Sequence, residues 1–196
     1  MKALSIKEPW ATLILEGKKT IETRTWKTNY RGEILLCASK NPKSNIVILL
    51  DNNFLALPSH ITKLQKYIKK GWKMDFNQGL DIRLVNKENA ELLAKVKHYK
   101  QIHFAWDFMK TEKQVRNGLK ILFKAGIKPY RIMVYILCNY DTTFEDDLYR
   151  FKELTALGVD PFIMVYGKVN EKLKKFVRWG NRKWICGSCE WEDYFK

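Results

Sequence analysis

Five short apolar runs recur about every 28 to 30 residues along this chain: Ile46 to Leu50, Met74 to Phe76, Ile102 to Trp106, Ile132 to Leu137 and Phe162 to Tyr166. The segments between them carry helical periodicity. A strand followed by a helix at this spacing is the mark of repeated βα units around a parallel sheet. The pattern predicts an α/β chain built as an incomplete (β/α) TIM-type barrel of about five βα units. In such folds ligands meet the chain where strands end, so the polar residues just after each run are the first candidates for function. They read Asp51-Asn52-Asn53, Asn77-Gln78, Asp107 and Asn139-Tyr140-Asp141.

Helix punctuation agrees with the strand spacing. Thr111 with Gln114, and Thr143 with Asp146, have the form of an N-cap with a polar partner three residues on. Both helices then stop alike, at Gly126-Ile127-Lys128-Pro129 and at Gly158-Val159-Asp160-Pro161. Gly takes a left-handed position after the last turn and Pro forbids continuation. Val115, Leu119 and Leu122, then Leu148, Phe151 and Leu154, recur at three or four residues and are expected to face a sheet. Further helices are expected near Ile61 to Ile68, Ala90 to Val96 and Leu173 to Trp179.

With 196 residues, of which 46% are hydrophobic, the chain has enough apolar surface for a real core. No apolar stretch is long enough to cross a bilayer, and the first residues do not have the form of a secretory signal, so a cytoplasmic protein with no membrane partner is expected. Four cysteines, unevenly spread, do not read as a disulfide framework. A net charge of +15 favours contact with polyanions, because Lys and Arg release counterions when they neutralise phosphates. The same charge is equally consistent with solvated helix faces carrying Lys66, Lys69, Lys70, Lys95 and Lys97.

The first forty residues break the βα rhythm. Glu8-Pro9-Trp10 leads to a short apolar helix, then Gly17-Lys18-Lys19-Thr20-Ile21-Glu22-Thr23-Arg24, Trp26, Tyr30-Arg31-Gly32 and a strand, Glu33 to Ala38. Lys19, Glu22 and Arg24 put an ammonium, a carboxylate and a guanidinium in one stretch, suited to a base edge or a phosphate, with Trp26 available to stack. An exposed turn with a weak surface ion pair would use the same residues. Gly17, Lys19, Glu22 and Arg24 match the G-x-K-x-x-E-x-R signature of the ASCH domain, a PUA-like family associated with RNA and modified nucleosides. Leu4-Ser5-Ile6, Pro9-Trp10, Tyr30-Arg31-Gly32 and Ala38-Ser39-Lys40 fit the opening of that family. The resemblance covers residues 1–41 and implies an ASCH-like segment followed by a second domain over residues 42–196. RNA or a nucleoside is the ligand it implies, with Lys19, Glu22, Arg24 and Trp26 as contacts.

From Asn45 onward the chain resembles the later part of a radical S-adenosylmethionine protein. The resemblance rests on Leu49 to Leu55, Asp75 to Arg83, His103 to Asp107, Pro129 to Tyr135 and Ser188-Cys189. It implies an S-adenosylmethionine site along the strand ends, formed by Asp51, Asn52, Asn53, Asn77, Gln78, Asp81, Arg83 and Asp107. Such proteins hold a [4Fe-4S] cluster through C-x-x-x-C-x-x-C, whose three thiolates leave one iron open. That triplet is absent, together with the first strand and its helix, and Asn139 stands where the resemblance implies a glycine. The expectation is a truncated or fused protein without its own cluster and without radical catalysis, keeping binding of an S-adenosylmethionine-like ligand. One alternative is RNA or nucleoside binding through the ASCH-like motif. Another is an active enzyme completed by a second chain that supplies the cluster segment.

Cys186-Gly187-Ser188-Cys189 offers half a metal site, but no second C-x-x-C completes it, and His60, His98 and His103 are scattered. An ordinary pair of reduced thiols is the simpler reading. His103, inside an apolar strand, reads as a packed core histidine, and Trp179, Trp184 and Trp191 as a cover for the barrel's edge. A strand left unpaired at Ile46 to Leu50 would be an open edge. Glu33 to Ala38 is expected to close it in an antiparallel hairpin, since the connection is too short for a parallel crossover.

Overall fold

In the computed structural model, which describes residues 2–7, 13, 14, 16, 18, 34–39, 46–50 and 53–195, strands β1 (Lys2–Lys7) and β2 (Ile34–Ser39) pair in parallel, from Lys2 opposite Ile34 to Lys7 opposite Ser39. They belong to the smaller of two units, Met1–Asn45. The larger unit is Ile46–Lys196. The expected hairpin does not form. β2 is hydrogen-bonded to β1, and Ile46–Leu49 joins a different sheet. The backbone hydrogen bonds of Ile34–Ser39 therefore go to a parallel neighbour 32 residues earlier in the chain rather than to the segment that follows.

In the larger unit each of the five apolar runs becomes a strand: β3 (Ile46–Leu49), β4 (Lys73–Phe76), then after the two-residue β5 (Lys97–His98), β6 (Ile102–Ala105), β7 (Ile132–Cys138) and β8 (Asp160–Val165). Ile, Val and aromatic residues dominate them, as suits a pleated surface packed on at least one side. All pairings are parallel. The strands do not form the incomplete (β/α) TIM-type barrel that their spacing predicts. They divide into two three-stranded sheets, β3-β4-β5 and β6-β7-β8, and no closed barrel is present among the described residues. The cause lies in β4 and its neighbours. β4 is four residues long, its edge is taken by β5 at Lys73 and Met74 and by Tyr99 N–H bonding to Met74 O at 2.9 Å, and Gly79, at φ 84°, then turns the chain. Between the two sheets the ladder is reduced to an isolated bridge, Leu80 with Phe104.

The helices are α1 (His60–Lys70), α2 (Lys87–Lys95), α3 (Glu112–Lys124), α4 (Phe144–Ala156), α5 (Glu171–Gly180), α6 (Lys183–Cys186) and α7 (Trp191–Phe195). α2 begins earlier than its apolar pattern suggests, because Asn86 and Asn89 cap each other's backbone N–H groups and the Asn89 amide donates to Leu84 O. α4 has the expected capping box between Thr143 and Asp146. Thr111 does not cap α3. It lies in a preceding 3-10 turn, and its hydroxyl donates to Phe108 O at 2.7 Å. The shared stop after α3 and α4 is real: Gly126 and Gly158 are left-handed, and Ile127 and Val159 donate back to Leu122 O and Leu154 O.

One face of the β6-β7-β8 sheet carries the core. Ile132, Val134, Ile136 and Cys138 are fully buried, and α4 and α5 pack over this sheet with Phe151, Leu154, Leu173 and Phe176. Trp179 and Trp191 join Phe176 in an aromatic cluster with ring centroids 5.3 to 5.9 Å apart. Trp184, in contrast, is 72% exposed and covers nothing. α3 approaches the 3-10 turn Ile82–Leu84 so closely that a Cβ at Gly118 would stand 2.5 Å from Ile82 Cγ1 and 2.7 Å from Ile82 O. The second atom is backbone and cannot swing aside. Gly118→Ala is therefore expected to destabilise the larger unit by about 1–3 kcal/mol, read as a lower denaturant midpoint, with Gly126→Ala losing stability through backbone strain instead.

Candidate functional site

Where β4 and β6 end, the chain turns around a cavity of about 220 Å³ lined by Asn53, Gln78, Asp81, Arg83, Asp107 and Thr111, with Leu80, Ala105, Phe108 and Val115 as its apolar wall. Five of the eight residues expected to bind a cofactor, Asn53, Gln78, Asp81, Arg83 and Asp107, meet there. Asn77 does not line the cavity; it is an exposed turn residue after β4. Asp51 and Asn52 lie outside the described residues, as do Lys19, Glu22, Arg24 and Trp26.

Asp81 and Arg83 form a two-pronged pair, Nε to Oδ1 at 2.9 Å and Nη2 to Oδ2 at 2.7 Å, and Arg83 N–H adds a third bond to Oδ1 at 3.0 Å. That bonding to Arg83 holds the Asp81 carboxyl below its ordinary range, against the opposing effect of burial. Arg83 is more than half exposed, so the pair is a positioned guanidinium rather than a source of stability. Asp107 behaves oppositely. Burial pushes its carboxyl up, and the nearby charge of Arg150 only partly offsets this. Asn53 Oδ1 is buried and accepts no hydrogen bond. The cavity thus offers a guanidinium, a separate half-buried carboxyl and a free amide acceptor against an apolar wall. This set can bind a small zwitterion, anion to Arg83 and ammonium to Asp107.

The Asp107 corner is held from behind. Arg150, fully buried on α4, donates to Trp106 O and to Leu137 O (3.0 Å), and pairs with buried Asp147. Asp147 also accepts from Thr142 Oγ1 at 2.8 Å and from Asn139 N–H at 3.2 Å. Asn139 sits at φ 62° and Asp141 at φ 52°, in the left-handed region. Asn is among the few residues with a side chain that tolerate this, which accounts for Asn139 at this position. Neither Arg150 nor Asp147 was legible as a site residue. A charged i, i+3 pair within an otherwise ordinary amphipathic helix looks like a solvated one.

Among the described residues, the cysteines make no donor set for an iron cluster. Cys138 is fully buried, burial raises the thiol of Cys186, and no cluster of three His, Cys, Asp or Glu side chains suited to a metal exists among the described residues. Cys186 and Cys189 are free thiols, and each lies within 3.6 to 3.9 Å of backbone carbonyls of the C-terminal helices. His103 is 7% exposed and its ring lies 5.4 Å from Tyr135, a packed histidine whose pKa burial lowers.

A family profile for the ASCH domain matches residues 4–166. The chain belongs to the ASCH domain family. The match extends well past residue 41, the limit of the opening motif, and nothing among the comparisons supports membership of the radical S-adenosylmethionine family. No curated protein and no solved structure matches the chain. Among the described residues no helix is long and apolar enough to cross a membrane.

Burial of the Asp107 carboxyl makes the stability of the larger unit depend on pH. Its folded-state pKa lies above the ordinary 3.8, so protonated Asp107 is tolerated and ionised Asp107 costs stability. The penalty is absent below about pH 3.8, where the group is protonated folded and unfolded, and grows as pH rises through the folded-state value. Asp107→Asn should raise the denaturation midpoint at neutral pH, and the difference from wild type should vanish as pH falls through the carboxylate range.

Proposed function

We propose that this protein binds RNA or a modified nucleoside through its ASCH motif. The observation that carries the reading is the G-x-K-x-x-E-x-R spacing at Gly17, Lys19, Glu22 and Arg24 inside a family match over residues 4–166. In this reading Lys19 and Arg24 meet phosphate or base acceptors, Glu22 accepts from a base amino group, and Trp26 stacks on the base. The net charge of +15 adds an attraction for any polyanion that is independent of sequence. Anisotropy of a labelled single-stranded RNA is expected to show binding that weakens steeply between about 50 and about 200 mM salt. Lys19→Ala should flatten the slope of log affinity against log salt by roughly 0.7, the value of one phosphate contact on a single strand. Glu22→Gln should change base preference and leave the slope alone. Absence of binding at low salt would refute the reading.

A second reading is favoured by the cavity at Asp81, Arg83 and Asp107, where five residues expected to contact S-adenosylmethionine converge. Here the chain keeps a pocket for an amino-acid-like headgroup and carries out no radical chemistry. Saturating S-adenosylmethionine, at about 100 times its dissociation constant, would then stabilise the fold by about 2.7 kcal/mol. The thermal shift should disappear in Arg83→Ala and survive in Lys19→Ala. An unshifted midpoint in the wild type would dismiss this reading.

A further inference from the structure

Among the described residues, the helices that pack most on the β6-β7-β8 sheet, α4 and α5, lie over the face that carries Ile132, Val134 and Ile136. On the other, Tyr135 of β7 stands in register with Phe162 of β8, their rings 5.9 Å apart and nearly perpendicular. Leu137 stands opposite Met164 on the same face, and Tyr166, just past β8, packs 4.8 Å from Tyr140. Phe162, Met164 and Tyr166 are 37%, 46% and 56% exposed, a large apolar display for a parallel sheet, which is ordinarily covered on both faces. The Tyr140 and Tyr166 pair is held in place deliberately. Asn139, at its left-handed φ, donates from its side chain to Tyr166 O at 2.9 Å, tying the exit of β7 to the exit of β8.

We infer that this open sheet face is a stacking surface for unpaired bases of single-stranded RNA, a second contact on the chain that deepens, and depends on, the RNA reading of the ASCH motif. The exposed rings of the patch offer π-faces to bases, and base stacking on such rings is tolerant of sequence. The two ring pairs are separated by four residues, about 13 Å along a strand, which provides two stacking stations rather than one. The local charge suits a phosphate chain. Lys110 lies 5.0 Å over the Phe108 ring, itself 5.8 Å from Tyr140, and Lys100 stands at the other end of the face, 3.5 Å from Asp75. Beside Tyr135, His103 Nδ1 and Asp75 Oδ1, on side chains more than nine-tenths buried, have no hydrogen-bond partner.

The test uses the full chain and labelled uridine-rich single-stranded RNA. Phe162→Leu and Tyr135→Leu keep apolar bulk and remove the ring; each is expected to weaken binding about tenfold with an unchanged salt slope, because stacking releases no counterions. Tyr130→Leu, an exposed ring before β7, should bind as wild type. If both leucine variants bind normally while Lys19→Ala weakens binding, the stacking surface is refuted and the RNA reading stands. If the wild type fails to bind at low salt, both fall. Should the leucine variants lose their folded circular dichroism, photocrosslinking of the wild type to 4-thiouridine RNA decides. Adducts on the Tyr135 or Phe162 peptides support the inference, and adducts confined to other peptides overturn it. A wild-type dimer that Phe162→Leu converts to monomer would also overturn it, by assigning the face to a second copy of the chain.

Discussion

The buried ion pair of Arg150 with Asp147 fixes the end of the larger unit where its candidate sites lie. One guanidinium reaches carbonyls at the C-terminal ends of two neighbouring strands, Trp106 O just past β6 and Leu137 O in β7, and the carboxylate it pairs with gathers Thr142 and the Asn139 backbone. Two charges removed from water are weak evidence for net stability, since their desolvation offsets most of their attraction. Breaking the pair is another matter: an uncompensated buried charge costs about 3–5 kcal/mol. The pair therefore acts as a geometric constraint. It sets where Asp107 emerges after Trp106, which puts the carboxyl on the cavity wall, and where Asn139 turns, which presents Tyr140.

Much of the larger unit was legible in the sequence, because its information is local. The five apolar runs are strands, Thr143 and Asp146 cap a helix, and the Gly and Pro pairs end two helices in the same way. Sheet continuity was not legible. Whether consecutive strands share one ladder depends on long-range pairing, and here a two-residue strand at Lys97–His98 and the turn at Gly79 divide the strands into separate sheets. The partner of Ile34–Ser39 was misassigned for a similar reason. Loop length argued for a hairpin with the next strand, while the structure pairs it with the strand Lys2–Lys7, a long-range pairing that no spacing rule captures.

The site residues divide in the same way. Asn53, Gln78 and Asp107 were singled out by their position after the apolar runs, whereas Asp81 and Arg83 entered only through the resemblance; all five line the cavity. Asn77, equally well placed by position, turns outward, because successive residues of a tight turn cannot all face one side. Arg150, Asp147 and the open ring face were missed. The first two are hidden by a helix pattern that reads as solvated, and the ring face is distributed over two strands whose register only the folded chain reveals. Family membership also outran the motif. The opening signature spans a few residues, while the family match runs from 4 to 166.

Cys138 closes β7 beneath the helix that carries Arg150 and Asp147. Its thiol is fully buried, and burial together with the neighbouring Asp147 carboxylate pushes it far above its ordinary value. Only a thiolate attacks an alkylating reagent, so this sulfur is chemically silent while the helix stays down. The partly accessible Cys186 and Cys189 are the first of the described thiols to be modified. The delay between them and Cys138 is an internal clock for local opening of this end of the sheet, readable by mass without adding a probe.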